Sequence, residues 1–98
     1  MKIQVTQEHI DHGERSSCRR CPIALAIEPH VNSRFEVYVR VSTVAFGRIG
    51  TQHQPYVLAL PEPARGFVDL FDADLEVKPF EFELSDRTFD GRLAEFWL

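Results

Sequence analysis

The sequence predicts an α+β fold, a single domain with a mainly antiparallel sheet of about four to five strands and two main helices, in the order β-α-α-β-β-β-α-β. Three observations predict it. Phe35, Val37, Val39 and Val41 alternate with Glu36, Tyr38, Arg40 and Ser42, the pattern of a half-buried strand. Ala64, Phe67, Val68 and Phe71 recur at i, i+3, i+4 and i+7, one apolar stripe on a helix. Ser42-Thr43 offers a tight reversal between two strand candidates, which suits antiparallel pairing. At 98 residues the chain supports a single core and no second domain.

Taken in order, residues 2–6 alternate with Ile3 and Val5 on one face and form a strand. Thr6 suits an N-cap for a short helix over residues 7–12, and Gly13 suits a left-handed stop. Residues 13–17 are polar and loop-like. Pro22 fits the first turn of a second helix, where its missing N–H costs little. Ile23-Ala24-Leu25-Ala26-Ile27 is apolar nearly all round, so that helix is expected to be deeply buried before Pro29 ends it. Residues 35–41, 44–49 and 56–60 are the next three strands, with a loop over residues 50–54. Pro61-Glu62-Pro63 opens the helix that carries the apolar stripe, and Gly66 weakens it by roughly 1 kcal/mol relative to Ala. Phe80, Phe82 and Leu84, alternating with Glu81 and Glu83, form the last strand.

The domain is expected to span residues 1–85, with residues 86–98 as a C-terminal tail. Phe89, Leu93, Phe96 and Trp97 share one helical face there, interrupted by Gly91. Two readings stand: a short helix docked on its own domain, or an aromatic handle for a second subunit or another partner, since bare aromatics at a terminus are costly.

Composition narrows the function. The formal charge is −4, and it is unevenly placed: residues 1–50 carry 7 basic and 5 acidic groups, residues 51–98 carry 4 and 10. A nucleic-acid binder usually has a basic excess, so direct nucleic-acid binding is not expected. No apolar run reaches the length of a membrane span, and residues 1–5 enter a strand pattern without a signal-peptide core, so a cytoplasmic protein is expected. Two cysteines make no disulfide framework.

Four constellations carry possible chemistry. His9, His12, Cys18 and Cys21 are ligand types that close a tetrahedral zinc site, although Gly13 would then have to fold the chain straight back. The expectation is no cofactor, with zinc as the alternative. Cys18-Arg19-Arg20-Cys21 at a helix entrance is also the spacing of a redox pair, where the helix and its arginines lower a thiol pKa. Arg15, Arg19 and Arg20 cluster at the same entrance and suit an anion such as a nucleotide phosphate. Asp69, Asp72, Asp74 and Glu76, with Glu81 and Glu83 nearby, make an acidic surface that suits a basic partner. No serine lies in a Gly-x-Ser-x-Gly turn and no Gly-rich phosphate loop is present, so no catalytic residue is named and an enzyme is not expected.

Met1-Lys2-Ile3-x-Val5-Thr6-x-Glu8-His9-Ile10-x-x-Gly13, then Cys18-x-x-Cys21-Pro22-Ile23-Ala24-Leu25-Ala26, and later Phe71-Asp72-x4-Val77-x-Pro79-Phe80-x-Phe82-Glu83-Leu84, resemble a group of small bacteriophage and prophage proteins of GC-rich bacteria. The resemblance covers residues 1 to about 84 and brings no catalytic residues with it. It implies a small protein acting stoichiometrically in the host cytoplasm. The function expected on this basis is binding and modulation of a host factor, a protein or nucleoprotein complex, as in an anti-defence (anti-CRISPR-like) inhibitor. The acidic surface at Asp69, Asp72, Asp74 and Glu76 would face that partner, with Phe96 and Trp97 as buried anchors. A nucleotide-binding sponge, a zinc or redox module and a homodimer are the alternatives.

Overall fold

The first helix begins where Thr6 can cap it. In the computed structural model, which describes residues 1–51, 56–87 and 94–98, strand β1 (Lys2–Val5) turns Ile3 and Val5 inward and leads into α1 (Gln7–His12). The Thr6 hydroxyl accepts from the His9 N–H, and the Thr6 N–H donates to His9 Nδ1 at 3.0 Å, a capping box with histidine in the place usual for glutamate. Gly13 follows with φ −73° and ψ 152°, extended and not left-handed as expected. Packing decides this glycine: a Cβ there would lie 2.6 Å from Cγ and Cδ of Pro22 and 2.9 Å from the His9 carbonyl oxygen.

That proline opens α2 (Pro22–Ile27), capped by Cys21, whose Sγ accepts the Ala24 N–H at 3.5 Å. The helix packs against β1 and also against β2 (Phe35–Val39), so its apolar surface is covered nearly all round. A 3-10 turn (Glu28–His30) carrying Pro29 ends it.

Among the described residues five strands divide between two antiparallel sheets and do not form one. β2 pairs with β3 (Thr43–Arg48), and β3 with β4 (Tyr56–Ala59). β1 pairs with β5 (Phe80–Glu83), Ile3 opposite Phe82 and Val5 opposite Phe80. The chain passes from one sheet to the other through α2 and through α3 (Glu62–Asp72), so both transitions are helical. The strand expected to run to Val41 stops at Val39. The Arg40 N–H donates to the Thr43 carbonyl at 2.8 Å, closing the hairpin and leaving Val41 72 % exposed in its turn.

Helix α3 buries Ala64, Phe67 and Val68 and half-buries Phe71, as the stripe requires. It ends in a Schellman motif: Leu75 N–H donates to the Leu70 carbonyl at 2.9 Å and Asp74 N–H to the Phe71 carbonyl at 3.1 Å. Asp74 occupies the left-handed position that glycine usually fills, with φ 61°.

The end of the chain belongs to the core. Phe96 is 0 % and Trp97 6 % exposed. Phe96 stacks on Phe46 with ring centroids 3.8 Å apart and planes 7° apart, and Trp97 meets Phe46 edge-on at 5.3 Å. Backbone bonds tie this segment to the turn after α2: Asn32 N–H to the Phe96 carbonyl at 2.7 Å, and Leu98 N–H to the His30 carbonyl at 3.0 Å. Phe96 and Trp97 are therefore spent on the domain's own interior and offer no exposed ring to a partner. Residues 94–98 form a turn and a β-bridge, not the expected helix, because those bonds engage the backbone groups with residues 30–32. Phe89, Gly91 and Leu93 lie outside the described residues, as does most of the loop expected over residues 50–54. Among the described residues no helix is long and apolar enough to cross a membrane.

Candidate functional site

Two clefts hold a few of the residues singled out by sequence: Cys18, Cys21 and Asp72 line one, and Glu76 lines the other. The first, about 530 Å³, lies where loop residues Ser16, Ser17 and Cys18 meet Cys21, the β2–β3 turn and the last turns of α3. Three bonds hold that loop in place. Val39 N–H donates to the Cys18 carbonyl at 2.7 Å, Ser16 N–H to Asp72 Oδ1 at 2.9 Å, and Arg20 N–H to the Ser17 hydroxyl at 3.0 Å.

The two thiols in this cleft are unequal. Cys18 is exposed and Cys21 is buried. Burial pushes the Cys21 thiol above its ordinary value, and the N–H groups of Ala24 and Ile23 pull it back by less. Desolvation of the Cys21 thiolate outweighs its helix cap, so this buried thiol is not an activated one. The zinc set does not assemble either: among the described residues no three His, Cys, Asp or Glu side chains are grouped to hold a metal ion. His9 Nδ1 is occupied in the capping box, and His12 Nδ1 lies 3.0 Å from the Glu8 carbonyl oxygen.

The arginines at the same entrance diverge. Arg15 pairs with Asp74 at 3.1 Å, Arg19 with Glu36 at 3.3 Å and Arg20 with Glu14 at 3.3 Å. Arg19 also lies over the Tyr38 ring, 5.3 Å from its centroid. The Tyr38 hydroxyl donates to Glu36, and that bond, followed by burial, raises the phenol above its ordinary value. Each guanidinium meets its own carboxylate, so the three form no shared anion cradle.

The acidic residues sort by the same test. Asp72 holds the Ser16 N–H, Asp74 forms the helix stop and pairs with Arg15, Glu81 pairs with Lys2 at 3.8 Å, and Glu83 lies 3.4 Å from the Met1 ammonium. Asp69 and Glu76 are exposed, and neither enters an ion pair among the described residues.

Glu76 borders the second cleft, a groove of about 630 Å³ between α3 and the segment leading into β5. Pro63, Gly66, Phe67 and Leu70 form its helical wall, and Val77, Lys78 and Phe80 the other. Phe67 and Phe80 stack at 4.9 Å beneath it. Leu70 is 45 % exposed although it is apolar. Sequence reasoning missed this groove, because the stripe through Ala64, Phe67, Val68 and Phe71 explained α3 and left Leu70 off it. The available signal was Leu70 one turn after Gly66, an apolar residue and a helix-weakening residue side by side with no core role.

No protein-family model, no curated protein and no solved structure matches this chain.

Proposed function

We propose that this chain is a small non-enzymatic protein, of the phage-encoded kind its sequence resembles, that binds a host protein or nucleoprotein complex and modulates it. An inhibitor of a host defence complex, working in the host cytoplasm, is the form of this reading that the resemblance favours. One observation carries the binding role: between Glu62 and Glu83 seven carboxylates stand against Arg65 and Lys78, and Asp69 and Glu76 among them are exposed and engaged by no ion pair of the described residues. A surface of one sign steers and orients a partner of the other sign.

The test is affinity capture from host lysate with the intact chain and with an Asp69→Lys/Glu76→Lys variant. These positions are chosen because neither side chain holds the loop or the helix stop, as Asp72 and Asp74 do. The expected result is a partner retained by the parent at low salt and lost by the variant. Equal capture by both would remove the acidic surface from the function.

A further inference from the structure

Gly66 is in the middle of α3, where glycine costs helix stability, and nothing among the described residues accounts for it. A Cβ built at Gly66 has no atom within 4 Å, in contrast to Gly13, where Pro22 leaves no room. The backbone at Gly66 is not left-handed, so conformation does not call for glycine either. The open space above it is part of the groove between α3 and the start of β5, and the wall next to it carries Leu70, an apolar side chain left nearly half exposed.

We infer that this groove receives an amphipathic α-helix of the partner protein, with basic residues flanking its apolar face. This deepens the binding role proposed above and rests on it. Three features define the occupant. Phe67, Leu70, Val77 and Phe80 provide an apolar floor and walls for side chains spaced at i, i+3 and i+4, the helix-in-groove mode of recognition. Gly66 lets the incoming helix approach the α3 backbone closely, as small residues do where two helices cross. Glu76 and Lys78 line the groove, and Glu62 and Asp69, about a quarter turn from the Pro63-Gly66-Leu70 stripe, stand on its solvent side, so three carboxylates stand against one ammonium there. Those carboxylates match lysine and arginine and repel the phosphates of nucleic acids and of lipid headgroups, so a basic protein helix fits where those two do not.

The probe is a fluorescein-labelled amphipathic helical peptide of leucine and lysine, titrated with the intact chain and followed by anisotropy. A scrambled peptide of the same composition and a leucine/glutamate peptide are the comparisons. The amphipathic leucine/lysine peptide is expected to bind at least about tenfold more tightly than either, as fits a docked face with buried anchors. Gly66→Gln, which adds a side chain to an exposed helical position, is expected to raise or preserve the melting temperature and to weaken binding at least about tenfold. Leu70→Ala is expected to weaken it as well, whereas Val57→Glu, exposed on strand β4, leaves it unchanged. Equal binding of the scrambled peptide, or full binding by Gly66→Gln, would overturn the inference. So would a dimer in sedimentation that Gly66→Gln disperses, since the occupant would then be a second copy. Lysate capture separates this failure from that of the wider reading. Loss with Asp69→Lys/Glu76→Lys but not with Gly66→Gln leaves the acidic-surface reading and removes the groove; capture unchanged by either removes both the acidic surface and the groove.

Discussion

The two clefts differ in what their residues do for the fold. Around the Cys18–Cys21 cleft almost every conspicuous residue has an internal task. Cys21 caps α2, Asp72 and Ser17 hold the loop, and Gly13 makes room for the ring of Pro22. In the α3–β5 groove the notable features have none: Gly66 faces open space, Leu70 is half out in water and Glu76 has no ion pair among the described residues. A motif that attracts the eye in sequence can thus be a construction detail. A nondescript stretch of helix can hold the features that only an outside partner explains.

That contrast can be broken or sharpened by substitution. The largest effect is expected outside both clefts and calibrates them: Phe96→Ala should lower stability by about 3–5 kcal/mol, because it empties a ring site stacked on Phe46. Urea unfolding would show it, and a loss well under that range would mean that the C-terminal aromatics are not core. Next, Gly13→Ala should destabilise by about 1–3 kcal/mol, since its Cβ meets the Pro22 ring and the His9 carbonyl. A neutral result would show that the loop entering the first cleft is free to shift.

Gly66→Ala should go the other way, stabilising by about 1 kcal/mol. For a domain of this size that raises the melting temperature by roughly 4–8 °C, readable by calorimetry. Opposite signs at the two glycines would confirm the difference between the clefts; the same sign would erase it. The smallest effect concerns the buried thiol. Because the folded state holds Cys21 above its ordinary value of 9.0, the unfolded chain gives up this proton first as pH rises. The stability from the neutral buried thiol is therefore complete below pH 9 and is lost above it. The decline should be shallower in Cys21→Ala, measured by denaturation across that range. In the native protein a thiol reagent is expected to modify Cys18 well before Cys21.

Much of the local structure was legible before any coordinates. Alternation located the strands, the stripe located α3, and Thr6 and Pro22 marked the helix starts, because each depends on neighbours a few residues away. Gly13 was recognised as special but for the wrong reason. Left-handed backbone is the usual explanation after a helix, and here a proline nine positions later supplies the real one. Asp69, Asp72, Asp74 and Glu76 are all exposed, but Asp72 also holds the loop and Asp74 also forms the helix stop, tasks the sequence did not announce. The α3–β5 groove was not legible, since it exists only when the segment before β5 returns alongside the helix.

By itself, the sequence determined the α+β class, the identity and order of the strands and helices, and the acidic bias of the second half, all of which follow from composition and short-range periodicity. Tertiary structure decided the rest. It split the strands into two sheets, put Phe96 and Trp97 in the core, gave each loop arginine its own carboxylate, and raised the Cys21 thiol where a helix entrance alone would have lowered it. These outcomes depend on which distant side chains share a site and how much water they exclude. Burial and pairing are properties of the assembled core, and no spacing along the chain encodes them.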